Sequence, residues 1–190
     1  MSIVTIPNSP VHEESIITYP YGIADSGYSC GYHTGLDFAP YGDTPANPML
    51  YSVVSGEVVQ VVQPASGALG VQVLILSDTN EYWRYCHMVE GSVQVQVGDL
   101  VTTASPIGQM GDTGNVTGIH LHLERATTYS WTCGTFLNPA EYLTIPNEIG
   151  TIVEYQAPVP PTPVEELKKK KFPWVIYTNR IRARNNLTKF

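Results

Sequence analysis

With 190 residues, 43% of them hydrophobic, the chain is long enough for one domain with a substantial core. Its formal net charge of −7 argues against a nucleic-acid partner, and no run of eighteen apolar residues offers a membrane-spanning helix. Three cysteines, an odd number, favour no complete disulfide framework.

The elements come in short β-type runs. Met1–Pro7 has neither a basic start nor an apolar stretch of signal-peptide length, which predicts no leader peptide. Tyr28, Cys30, Gly31 and Tyr32 lead into His33-Thr34-Gly35-Leu36-Asp37, and Phe38-Ala39-Pro40 leads out. Two polar residues thus sit between apolar and aromatic walls of the kind that make a cleft, with Gly35 between them to let the backbone bend. Strands are predicted over 51–63, 71–77, 81–88, 99–111 and 119–125, each rich in valine, isoleucine or aromatic residues. Turn chemistry separates them at 66–70, 78–80, 98–99 and 111–114. No segment before the C-terminal stretch carries a long helical period, so the pattern predicts an all-β fold, an antiparallel β-sandwich.

Charge divides unevenly along the chain. Residues 1–163 hold Arg84 and Arg125 against fifteen acidic residues, while residues 164–190 hold eight basic residues against Glu165 and Glu166. The boundary, Ala157 to Pro163, is proline-rich and predicted to be extended and semi-rigid. Beyond it Lys168 to Lys171, Arg180, Arg182 and Arg184 surround Phe172, Trp174 and Tyr177. That pattern fits either a solvated tail or a short anchor for an anionic surface.

Cys86 precedes His87 and, in a strand of period two, is expected to face away from it as a small buried apolar residue. Cys30 and Cys133 flank the first and last histidine blocks. They either meet across the cleft mouth or stay apart, according to a Cα separation that sequence does not show.

Four of the five histidines fall in three blocks: His33 to Asp37, Tyr85-Cys86-His87-Met88 and His120-Leu121-His122. Residues two apart on a strand look the same way, so His120 and His122 share a face while Leu121 and Leu123 point into the core. Each block alone has an ordinary structural reading, as the polar face of a half-buried strand, a loop pair, or a packed histidine beside aromatics. Together they offer more. A hydrolytic zinc ion takes three nitrogen or oxygen ligands and keeps one position open. His33, Asp37 and His122 can supply that set and leave His87 and His120 to handle protons; His12 has no such companions.

Over residues 17–143 the sequence resembles the lysostaphin-type zinc endopeptidases, which cut peptide cross-links in bacterial peptidoglycan. The resemblance rests, in order, on Ile17 to Gly22, His33 to Asp37, Gly42 to Pro45, Ser55 to Val58, Tyr85 to His87, Val97 to Asp99, Ile107-Gly108, Gly111 to Gly114 and Thr117 to Glu124. It implies a peptidase domain over 1–156, with the active-site groove on one sheet of the sandwich and framed by loops. The linker at 157–163 and the basic, aromatic tail at 164–190 follow it. It also implies one zinc ion per chain, held by His33, Asp37 and His122, with His87 and His120 as the catalytic pair. All five residues are of the family's type, which points to an active enzyme rather than one of its metal-free regulators. Ile119 stands where the family usually has proline, and Met88 where it usually has leucine. The stretch from Ala46 to Leu50 is longer than the usual connection and predicts a reshaped loop near the site. A tyrosine ahead of the first zinc histidine often assists the oxyanion in this family; Tyr28 and Tyr32 are the candidates, and spacing selects neither.

The function so implied is hydrolysis of cross-links or stem peptides of peptidoglycan, outside the cytoplasmic membrane. A bacteriophage endolysin released by a holin, or a lysin carried in the virion, fits the absence of a predicted leader; a secreted enzyme is the alternative origin. A non-catalytic wall-binding or structural phage-tail module is the competing class. The expected partner is peptidoglycan, with anionic wall polymer or a membrane surface for the tail and no nucleic acid. Val97-Gly98-Asp99 and Ile107-Gly108 also resemble lipoyl- and biotinyl-carrier domains. Those need a modifiable lysine on a hairpin tip, and no lysine precedes Lys168.

Overall fold

Period-two alternation builds the sheet that carries the histidine blocks. The computed structural model describes residues 2–157. Its strands are β1 (Ile3–Ile6), β2 (Ser15–Tyr19), β3 (Leu36–Pro40), β4 (Met49–Tyr51), β5 (Gly56–Val62), β6 (Val71–Ser77), β7 (Tyr82–Met88), β8 (Leu100–Val101), β9 (Pro106–Gln109), β10 (Leu121–Ala126), β11 (Phe136–Leu137) and β12 (Ile152–Tyr155). The helix α1 (Pro139–Leu143) follows β11, with Asn138 as its N-cap accepting from the Ala140 amide at 2.9 Å. Among the described residues no helix is long and apolar enough to cross a membrane. The linker and the basic tail expected after residue 157 lie outside the described residues.

The all-β expectation holds. A ten-stranded sheet runs β1-β12-β2-β3-β10-β7-β6-β5-β8, with β11 also paired to β10, and β4 and β9 form a separate two-stranded sheet. Every pair is antiparallel except β1 with β12, which makes the large sheet mixed. One buried cluster joins Leu50 of β4 and Ile107 of β9 to Leu36, Phe38, Tyr85, Leu121 and Leu123 of the large sheet, so the small sheet forms a second layer over its apolar face. The polar residues between those apolar ones stand on the opposite face: Asp37 on β3, Arg84 on β7, and His122 and Glu124 on β10.

Two predicted strands divide. The apolar run over 51–63 spans the end of β4, a crossing segment and β5, because the chain leaves one sheet for the other while Val53 and Val54 stay buried. The run over 99–111 splits into β8 and β9 around a turn in which the Ser105 amide donates to Thr102 O at 2.9 Å. In the first case burial continues through the crossing, so hydrophobicity carries no mark of the break, whereas in the second the exposed Thr102 and Thr103 stand at the turn. The stretch from Ala46 to Leu50 belongs to the small layer and not to the groove. Asn47 Nδ2 donates to Met110 O at 2.9 Å, and the Met110 amide donates to Pro48 O at 3.0 Å.

Candidate metal centre and its groove

Antiparallel register sets the first pair of site residues. His122 on β10 lies directly opposite Asp37 on β3, and directly opposed residues of an antiparallel pair stand on one face. His33, four residues before Asp37 and just upstream of β3, completes the group. His33 Nε2 lies 3.1 Å from Asp37 Oδ1, His122 Nδ1 lies 2.8 Å from the same oxygen, and the two nitrogens are 3.0 Å apart. All three residues are buried.

The partners outside this triangle settle which ring nitrogens face inward. His33 Nδ1 is 2.8 Å from the Pro20 carbonyl, an acceptor only, so Nδ1 carries the proton and Nε2 turns a lone pair to the centre. His122 Nε2 lies 3.1 Å from Glu124 Oε1, oblique to the ring N–H, which leaves Nδ1 facing inward. Glu124 is itself held by the Thr34 hydroxyl at 2.6 Å and by Arg84, whose Nε donates at 2.6 Å. Two imidazole lone pairs and a carboxylate oxygen converging at this spacing, with carboxylate and carbonyl groups behind the rings, fit a small divalent cation such as zinc. The charges agree. Burial works against the ionised form of Asp37, but contacts with His122 and His33 hold its carboxyl well below the usual range. Burial also opposes a charged His122, and Asp37 and Glu124 outweigh it and raise its pKa. The pocket favours positive charge.

Gly35 has a second role here beyond bending the chain. A Cβ on it would lie 2.7 Å from His122 Cε1 and 2.7 Å from Leu123 O, so the His122 ring packs directly over a bare backbone.

His87 reaches the groove through a bulge. Val71 pairs with Met88 and Val73 with Tyr85, so Cys86 and His87 together oppose Gln72 alone, and His87 adopts the left-handed conformation with φ 62°. Bulges of this kind re-aim side chains next to functional sites. The break in alternation overturns the expectation for Cys86. It lies directly opposite His122 and so shares the site's face of the sheet, although it is buried and free as expected. His87 Nδ1 donates to Thr113 O at 2.9 Å and His120 Nδ1 donates to Gly118 O at 2.9 Å. Both rings therefore turn Nε2 away from these carbonyls, that of His120 lying 3.8 Å from Asp37 Oδ2. The ring centroids of His87 and His120 are 4.7 Å apart. Burial, reinforced by the neighbouring imidazoles, pushes the His87 pKa down to about 4, so this ring is neutral at pH 7.

These side chains open into a groove of about 1160 Å³ lined on its rims by Tyr28, Asn115, Ile119, Trp131 and Phe136. Of the two tyrosine candidates, Tyr28 lines this groove with its ring centroid 5.1 Å from that of His33. Tyr32 packs instead against Tyr21 at 6.0 Å. Burial, with the field of Asp37, holds the Tyr28 hydroxyl well above its ordinary pKa, so it stays protonated and able to donate. Tyr19 also lines the groove, its ring 4.6 Å from His33, and its hydroxyl donates to Asp25 at 2.9 Å. Cys30 and Cys133 meet at the rim as a disulfide. His12, stacked between Tyr51 and Tyr155 at 3.5 and 3.6 Å, belongs to packing elsewhere.

Sequence reasoning left Glu124, Thr34, Thr113 and Arg84 without roles. Glu124 carried a usable signal: it follows His122 by two residues on a strand and so shares its face. Thr113 had none, since its carbonyl and not its side chain meets His87.

The model of peptidase family M23 matches residues 31–132, more than half of the chain, and the chain belongs to that family. Over 125 residues it is 31% identical to lysostaphin of Staphylococcus simulans, a match covering 66% of this chain and 24% of that protein. Over 94 residues it is 35% identical to the peptidoglycan DD-endopeptidase ShyB of Vibrio cholerae, covering 48% of this chain and 20% of that one. The chain thus spans about a quarter or less of the length of these relatives. The lysostaphin catalytic domain from S. simulans matches in structure with a TM-score of 0.55 at 28% identity, over 70% of this chain and 92% of that domain. A zinc containing peptidase from Vibrio cholerae matches with a TM-score of 0.52 at 28% identity, over 63% of this chain and 36% of the other.

Proposed function

We propose that this chain is a zinc-dependent endopeptidase that hydrolyses peptide bonds in the cross-links or stem peptides of bacterial peptidoglycan. The observation that carries the reading is the convergence of His33 Nε2, Asp37 Oδ1 and His122 Nδ1 at one buried point beneath an open groove. When bound there, zinc supplies Lewis acidity toward a carbonyl or water oxygen. The chain's own groups do the rest. His87 and His120 each offer Nε2 toward the groove, and their Nδ1 hydrogen bonds fix the rings for taking a proton from water and returning it to the leaving amine. Tyr28, kept protonated, donates to an oxygen on which charge develops. Glu124, clamped by Thr34 and Arg84, orients the His122 ring.

The wall as site of action draws support from the Cys30–Cys133 disulfide, a bond that persists in oxidising surroundings. The competing reading, a metal-free wall-binding or structural module, is favoured by none of the five histidine and aspartate placements. The test is elemental analysis of purified protein together with digestion of walls from several bacteria and mass spectrometry of the fragments. One zinc per chain and new amino termini within peptide bridges or stems are expected. Well-folded protein without metal that releases no fragment from any wall would overturn the reading.

A further inference from the structure

Two segments that line the groove carry one short pattern, Tyr28-Ser29-Cys30 and Trp131-Thr132-Cys133. The disulfide joins the two segments across 103 residues of sequence, with 5.4 Å between the Cα atoms. Each aromatic residue stands two positions before its cysteine, and each lines the groove. Each also rests on the metal centre through one side chain. Tyr28 packs edge-on against His33. Trp131 covers the guanidinium of Arg84, which lies 4.0 Å from the ring centroid, and Arg84 in turn holds the Glu124 carboxylate behind His122. The Trp131 backbone has φ 47°, a left-handed conformation that disfavours a bulky residue and persists only where the surroundings over-determine it. Here the surroundings are the guanidinium on the ring and the disulfide two residues on.

We propose that Tyr28 and Trp131 form a cross-linked aromatic clamp, a specificity-determining pair that grips an extended peptide to one side of the bond to be cut. The proposal rests on the peptidase reading of the site. Aromatic rings give a large contact area with few rotatable bonds, and a pair already tied together loses little freedom when the peptide arrives. The disulfide ties the segments that carry the two rings to each other. The contacts to His33 and Arg84 set their distance from the metal ligands. Trp131 therefore acts on peptide binding and leaves metal retention and bond breaking to the residues beneath, while the Tyr28 ring adds its contact to the donor role of its hydroxyl.

The test uses the full chain and three variants: Trp131→Ala, Trp131→Phe, and Cys30→Ser combined with Cys133→Ser. The Trp131 variants keep the disulfide and decide the matter if the double cysteine variant does not fold. Zinc per chain is measured first. Affinity is then measured by calorimetry for glycine-bridged and alanine-bridged stem peptides whose bridge amides are replaced by non-hydrolysable methylene-amines. Finally kcat and KM are determined for the parent peptides, shortened one residue at a time from either end. Trp131→Ala and the double variant should bind the long peptides about tenfold more weakly, the usual scale for truncating an aromatic anchor. KM should rise in step, with zinc retained and, for Trp131→Ala, kcat within a few-fold of the wild type. Shortening the peptide from one end should erase the difference, and Trp131→Phe should restore most of the affinity. Loss of zinc, a fall in kcat at unchanged KM, or an equal loss for every peptide length would overturn the clamp. If the wild type binds the peptides and cuts none, the peptidase reading fails while the affinities still decide the clamp. If it binds none, the clamp fails too.

Discussion

Asp37 and His122 face each other directly across β3 and β10, with Asp37 Oδ1 2.8 Å from His122 Nδ1, although 85 residues separate them in sequence. Sheet register alone brings them together. A slip of one residue would turn one of the two side chains toward the core, so the apolar pairs on either side, Leu36 with Leu123 and Phe38 with Leu121, also hold the candidate metal site in register.

Ligands and proton-handling residues should separate in their effects on metal content. His33→Ala, Asp37→Ala and His122→Ala each remove a donor from the inner group and should lose most of the zinc along with nearly all activity. His87→Ala and His120→Ala should keep near-normal zinc while losing on the order of 10² to 10⁴ in rate. Elemental analysis beside initial rates makes the comparison. A His87 or His120 variant losing zinc in proportion to activity would exchange the assignments.

Gly35→Ala should damage the metal site without replacing any of its donors. The added methyl would press on the His122 ring and on Leu123 O at 2.7 Å each, and the strand cannot retreat because it is hydrogen-bonded on both sides. Overpacking of this kind costs about 1–3 kcal/mol. Chelator competition should therefore show weaker zinc binding, and thermal unfolding a lower midpoint. Unchanged zinc affinity would mean that β10 yields more readily than its pairing suggests.

Glu124→Gln should loosen zinc while leaving the ligand set intact. The carboxylate meets His122 Nε2, the Thr34 hydroxyl and the Arg84 guanidinium, and the amide keeps its shape without its charge. Changes in groups that support ligating histidines usually cost 10- to 100-fold in metal affinity, and a loss in that range is expected here. Equal affinity in the variant and the wild type would show that His122 is oriented by its packing alone.

The basic segment after the proline-rich stretch predicts a role separable from cleavage. A chain ending at Pro163 should still cut a soluble bridge peptide, because every site residue lies upstream of it. It should sediment less with anionic walls or vesicles at low salt, where each Lys or Arg near such a surface contributes about 1 kcal/mol. The difference should shrink as the Debye length falls to about 8 Å. Equal sedimentation of the two forms at low salt would assign the segment a solvated role.

Local pattern made much of this protein legible. Runs of valine, isoleucine and aromatic residues marked β6 and β7 closely and the other predicted strands in part, and the alternation His120-Leu121-His122-Leu123 put the histidines on one face and the leucines on the other, because side-chain direction in a strand follows from residue parity. Parity does not report what lies across the ladder. The pairing of β1 with β12 joins Ile3 to Ile152, and nothing local in either segment encodes that partner. Parity also misled at Cys86, because a bulge opposite Gln72 puts two residues where one would stand. Gly35, the Glu124 network and the Cys30–Cys133 bridge depend likewise on close approach between segments 40 to 103 residues apart. The sequence by itself determined which chemistry the chain could assemble and on which faces of its strands. Only the tertiary structure decided which atoms meet, because distance between remote segments is set by the packing of the whole sheet against its core.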